Sequence, residues 1–144
     1  MFTRLACVSV AVPRIEDALA DYTEGLGLDL IGEIHQGKRG YGLRFANIGR
    51  DGQTFIELLD AEGDGPVRRF LDREGSGVYQ IRLETDNLRE TVKGLKERGV
   101  EVIIAQPVGG GSAPDELTPD TNLAFVHPKS TSGVLIELVE RKGS

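Results

Sequence analysis

Apolar and polar positions along this 144-residue chain fall into a repeating order. Residues 5–12, LACVSVAV, are small and β-branched and predict a strand ending at Pro13, which has no N–H for a ladder and suits the first turn of a helix. In RIEDALADYTEGLGL the apolar positions Ile15, Ala18, Leu19, Tyr22 and Leu26 recur at three- and four-residue spacing. That spacing predicts an amphipathic helix of about three turns, stopped by Gly25 and Gly27. Three strand candidates follow, Asp29–His35, Tyr41–Ile48 and Thr54–Asp60, divided by the turn clusters GKRG and GRDG.

The same grammar then restarts. The polar stretch AEGDGP reads as a linker, Val67–Arg73 as a short helix and GSG as a turn. Val78–Thr85 predicts a strand, Asn87–Arg98 a helix with Leu88, Val92 and Leu95 on one face, and Val100–Ala105 a second strand. After a Gly- and Pro-rich segment, expected to cover a site across 106–121, Asn122–Val126 and Gly133–Glu140 predict the closing strands. FIELLDAEG at 55–63 matches LIELVERKG at 135–143 at an offset of 80, and Cys7 matches Gln80 at an offset of 73. Each copy is too small to bury its own sheet face. The expected fold is therefore α+β and a single domain over 1–144: two tandem βαβββ modules forming a curved mixed sheet around a cleft, with helices outside. Module one spans about 1–60, a linker and short helix about 61–75, and module two about 76–144.

Strand alternation sorts side chains onto two faces. Val8, Val10, Val12, Ile56, Leu58, Tyr79, Ile81, Leu83, Ile136 and Leu138 form the core set. Cys7, Glu57, Gln80 and Glu137 form the opposite, cleft-directed set, with Arg82 beside them. Arg44 joins that set if its strand packs through Leu43 and Phe45. A carboxylate between Ile and Leu equally describes the solvent face of a half-exposed strand. Two such carboxylates at repeat-related positions favour chemistry, since neighbouring acids can divide into a general acid and a base or hold a divalent cation through oxygen. Arg44 and Arg82 suit either ion pairs with Glu57, Glu84 or Glu137, or recognition of a substrate carboxylate or phosphate.

Composition narrows the field. Lys and Arg number 17 against 23 Asp and Glu, a formal net charge of −6 that disfavours nucleic-acid and anionic-membrane partners. The single cysteine allows no internal disulfide, and no signal-peptide pattern is visible, so a cytoplasmic setting is expected. Cys7 reads best as a small buried apolar residue, because no neighbour is seen to activate its thiol. Of the two histidines, His127 in His-Pro-Lys suits a turn and His35 a surface position.

The opening LACVSVAVPRIEDALADYTEGLGLDL, the central PVRRFLDREGSGVYQIRLETDNLRETVKGLKERGVEVI and the ending FVHPKSTSGVLIELVE together resemble the vicinal oxygen chelate superfamily. That superfamily includes glyoxalase I, bleomycin-resistance proteins, extradiol dioxygenases and methylmalonyl-CoA epimerases, and the likeness is nearest the epimerases. The resemblance implies a homodimer and metal positions at Cys7, Glu57, Gln80 and Glu137, where the epimerase pattern is His, Gln, His and Glu. Glu137 alone matches that pattern, and Glu57 matches the glyoxalase variety. The epimerases' other catalytic carboxylate falls near Gly42. Oxygen donors from Glu and Gln suit Mg²⁺ or Mn²⁺, whereas Co²⁺, Ni²⁺ or Zn²⁺ would lack both imidazoles.

The implied function is an isomerase, or a related lyase, that abstracts a proton next to the carbonyl of an acyl-CoA or 2-oxo compound. Glu137 or Glu57 would be the base, with Arg44, Arg82 and Gln80 binding the substrate. Two alternatives are a bleomycin-resistance-type protein that binds a small molecule without turning it over and a glyoxalase-like lyase.

Overall fold

A computed structural model describes residues 1–37, 41–104, 117 and 123–141. In chain order the elements are β1 (Phe2–Ala11), α1 (Ile15–Ala20), β2 (Asp29–Gln36), β3 (Leu43–Arg50), β4 (Gln53–Ala61), α2 (Pro66–Glu74), β5 (Gly77–Thr85), α3 (Leu88–Glu97), β6 (Val102–Ile104), β7 (Leu123–Val126) and β8 (Leu135–Glu140). The fold is α+β with mixed strand pairing, as the repeat predicts: β1 runs parallel to β4 and β5 parallel to β8, while β2–β3, β3–β4, β6–β7 and β7–β8 are antiparallel. The chain divides into two compact units, residues 7–79 and residues 80–144 together with 1–6.

In the unit 7–79 the strand order is β2-β3-β4-β1. Its sheet is apolar on both faces, which is why its strands read as near-continuous hydrophobic runs. On one face Val12, Ala46, Ile48 and Leu58 bury against Ile15 of α1, with Ala18, Leu19 and Tyr22 around them. On the other, Ala11, Leu59 and Ala61 pack under Val67 and Leu71 of α2. Pro66 opens α2 where a missing N–H costs nothing. The segment read as a linker is part of this packing. A Cβ at Gly63 would lie 2.9 Å from backbone atoms of Tyr41, so no larger residue fits without movement.

The helix after Pro13 departs from expectation. Regular α-helix ends at Ala20, and Asp21–Gly25 forms a π-helical turn in which the N–H of Leu26 reaches the carbonyl of Asp21. Widening the turn breaks the phase that links Tyr22 to Leu26 at a spacing of four. Leu26 is consequently 63% exposed, where the sequence pattern places it in the core.

In the other unit the order is β5-β8-β7-β6. Ala124, Val126 and Leu138 pack beneath Leu88, Val92 and Leu95 of α3, the face named from the sequence. Asn87 caps α3 by accepting from the N–H of Glu90, satisfying one of the orphan donors of the first turn. Met1 joins this unit: its carbonyl accepts from the Thr85 hydroxyl and from the N–H of Asp86. The expected cover across 106–121 lies, apart from Leu117, outside the described residues. Among the described residues no helix is long and apolar enough to cross a membrane.

Candidate functional site

Two buried carboxylates occupy repeat-related positions, Glu57 on β4 and Glu137 on β8, each only 6% exposed. Neither is the solvent-facing residue of a half-exposed strand. A buried carboxylate needs partners, and each unit provides them from the strand parallel to it.

In the unit 80–144, Arg82 on β5 is in register with Glu137 on β8, and Gln80 precedes Arg82 by two residues on the same face. Arg82 Nε donates to Glu137 Oε2 at 3.1 Å, and Gln80 Nε2 donates to the same oxygen. Gln80 is 5% exposed, so the amide, the guanidinium and the carboxylate form one largely desolvated cluster. It lies on the face opposite Ile136 and Leu138, which pack toward α3. The structure thus brings together three of the residues singled out from the sequence.

In the unit 7–79, Ser9 on β1 is in register with Glu57, and its hydroxyl donates to Glu57 Oε1 at 3.0 Å. Cys7, buried, stands two residues before Ser9 on the same strand. Asn47 of β3 lies directly across from Glu57. Ser9 and Arg82 are 73 residues apart, the repeat offset of their strands, while Glu57 and Glu137 are 80 apart. The two donor–carboxylate pairs are therefore the same contact in two copies, with a neutral hydroxyl in one and a guanidinium in the other. The β1–β5 offset of 73 is the signal in the sequence that would have linked Ser9 with Arg82.

Arg44 requires a correction. Its expected place beside Glu57 depended on β3 packing through Leu43 and Phe45 on the face away from Glu57. Leu43 and Phe45 instead pack with Leu59 and Ala61, which share the face of Glu57, while Ala46 and Ile48 pack toward α1. Arg44, in phase with Ala46 and in register with Asp60, falls on the α1 side. Its guanidinium grips Asp60 through Nε at 3.0 Å and Nη2 at 2.6 Å, and reaches Glu16 through Nη1 at 2.6 Å. Asp60 also accepts from the N–H of Ile15 at 2.9 Å, fixing the start of α1. Hydrogen bonding from Arg44 pulls the Glu16 carboxyl down to about 2, and the bonds to Glu16 and Asp60 in turn hold the Arg44 proton more tightly than usual.

The histidines lie elsewhere. His35 stacks on Phe45 at 5.1 Å between ring centroids, and His127 uses Nδ1 to accept from the N–H of Lys129 in the turn before β8. Gly42, the position to which the resemblance assigns an epimerase-type carboxylate, has φ +64 and carries no side chain.

The donors around Glu137 do not fit a divalent ion. Glu137 is an acceptor already bound by a guanidinium, and because a carboxylate only accepts, Gln80 must turn its NH₂ toward it rather than the carbonyl oxygen a metal would need. Among the described residues no group of three or more His, Cys, Asp or Glu side chains is placed to hold a metal ion.

Comparison with known proteins agrees with this architecture. The chain is 32% identical over 141 residues to the mitochondrial methylmalonyl-CoA epimerase of Dictyostelium discoideum, covering 96% of this chain and 78% of the relative. It is 31% identical over 140 residues to the ethylmalonyl-CoA/methylmalonyl-CoA epimerase of Cereibacter sphaeroides, covering 96% and 98% of the two chains. The crystal structure of methylmalonyl-CoA epimerase from Mycobacterium tuberculosis superposes with a TM-score of 0.77 at 27% identity, over 99% of this chain and 90% of that one. These likenesses make the protein an enzyme of the epimerase (isomerase) class. With residues 8–117 also matching the sequence profile of the Glyoxalase/Bleomycin resistance protein/Dioxygenase superfamily, the chain belongs to that superfamily.

Proposed function

We propose that the protein interconverts epimers of a short acyl-CoA of the methylmalonyl-CoA type by moving the proton next to the thioester carbonyl. The observation that carries this reading is the buried Gln80–Arg82–Glu137 cluster. Proton abstraction from carbon needs a carboxylate within reach of the C–H bond and N–H donors aimed where the enolate oxygen develops. Glu137 is the carboxylate, and the guanidinium of Arg82 and the amide of Gln80, which donate to it, are the N–H donors standing beside it for an enolate oxygen. In the step the C–H electron pair moves through the α-carbon onto the carbonyl oxygen and the proton passes to the carboxylate, so no oxidant or reductant is required. Returning a proton to the other side of the planar enolate completes the inversion. The relatives named as methylmalonyl-CoA and ethylmalonyl-CoA epimerases support the choice of substrate class.

The test is solvent-deuterium incorporation into methylmalonyl-CoA and ethylmalonyl-CoA, followed by mass spectrometry beside a chiral assay for interconversion. Wild type should exchange the α-hydrogen, and Glu137→Gln should lose about 10²–10⁴-fold in rate, the usual worth of a positioned base. Exchange that survives in Glu57→Gln while interconversion stops would assign the second proton to Glu57. Tight binding of the thioesters with no exchange would replace the enzyme reading by a binding protein.

A further inference from the structure

We propose that Arg82 is the built-in cation of this enzyme, standing at Glu137 in place of the divalent ion that the superfamily's ligand pattern implies, so that the protein works without a metal. Its guanidinium lies 3.1 Å from Glu137 Oε2, and its side chain is 23% exposed beside a carboxylate that is 8% exposed. A dication brought to Glu137 would meet that positive charge at close range in a poorly screened setting, where like charges repel most strongly. The neighbouring amide opposes a metal as well, because Gln80 presents N–H rather than oxygen to the same carboxylate.

The two repeats carry different donors at this position. The equivalent position in the other copy is Ser9, fully buried, whose hydroxyl donates to Glu57. An arginine here adds a permanent charge and a planar array of N–H donors, of which Nε makes the Glu137 contact. That charge is what an enolate oxygen requires, and it cannot be removed by a chelator. The electrophilic role of Arg82 rests on the epimerase reading above, whereas exclusion of a divalent ion from Glu137 does not.

The two parts are separable by experiment. The full chain is incubated with excess Mn²⁺ or Co²⁺, passed through gel filtration and analysed for metal, with the visible spectrum of bound Co²⁺ as a second readout. The expected result is substoichiometric metal and no Co²⁺ bands, and exchange of the α-hydrogen of methylmalonyl-CoA unchanged by EDTA. Arg82→Gln should lower kcat about 10²–10³-fold with a smaller change in KM, as removal of an oxyanion donor does, and Arg82→Lys should recover part of the loss. A thermal melt of each variant separates this effect from unfolding. One tightly held divalent ion per chain, with exchange abolished by EDTA and restored by adding the ion back, would overturn the proposal. Absence of exchange with every thioester would defeat the functional reading alone, since the metal analysis still reports on Glu137. If Arg82→Gln does not fold, the wild-type metal and chelator measurements decide.

Discussion

Replacing Arg44 by Met is a direct test of which face of β3 carries the guanidinium. Asp60, only 4% exposed at its side chain, would lose two charge-assisted bonds and keep the N–H of Ile15. Removing one partner of a buried pair costs about 3–5 kcal/mol. Arg44 is 24% exposed, so water would reach part of the vacated space and the lower end, about 3 kcal/mol, is expected. For a chain of this size that corresponds to a fall in Tm of about 6–12 °C. Glu16→Gln, by contrast, breaks a pair whose carboxylate is 36% exposed and should cost about 0.2–1 kcal/mol. Differential scanning fluorimetry and urea titration read both losses, while α-hydrogen exchange at 20 °C reads function. The Met variant should be less stable and, where folded, retain exchange with an unchanged KM. A Tm within about a degree of wild type, together with a KM raised tenfold or more, would refute the placement and make Arg44 a substrate ligand.

Two further outcomes follow from the same geometry. Glu16 has its folded-state pKa lowered from 4.5 to about 2, so it contributes stability that is fully present above its unfolded value and is lost as pH falls from about 5 toward 2. Urea midpoints measured across that window should slope less steeply in Glu16→Gln than in wild type, and equal slopes would contradict the Arg44–Glu16 contact. Leu58 and Leu138 are both fully buried at positions 80 residues apart, so Leu58→Ala and Leu138→Ala should each cost about 2–5 kcal/mol by urea denaturation. A negligible loss in either would show that its core can collapse around the missing side chain.

The sequence is most legible where alternation is one-sided. Ile136 and Leu138 flank Glu137, and α3 covers only the leucine side, so parity alone separates core from polar cluster. β3 defeats the same method because Leu43 and Phe45 are packed on one face and Ala46 and Ile48 on the other. When both faces are apolar, period two no longer says which face a charge between them will share. Leu26 fails for a different reason: one π turn shifts the helical phase, and the Ile15–Tyr22 pattern carries no sign of it. Ser9 shares the face of Cys7, but a hydroxyl in an apolar strand carries no sequence signal for a carboxylate partner, which only its register with Glu57 supplies. The superfamily was readable from long stretches of pattern, whereas the partner of each carboxylate depended on strand pairing.

Residues 1–6 belong to the compact unit formed by the second half of the chain, and the Met1 carbonyl is bound by Thr85 and Asp86. In synthesis Thr85 and Asp86 follow Met1 by 84 and 85 residues. At about 5–20 residues per second, the leading half of β1 waits several seconds with its backbone groups unpaired. Residues 7–79 can begin to collapse in that interval, before the partners of residues 1–6 exist. The alternation of Arg4 with Thr3 and Leu5 supplies a charge in that waiting segment, a placement that discourages edge-to-edge association between nascent chains.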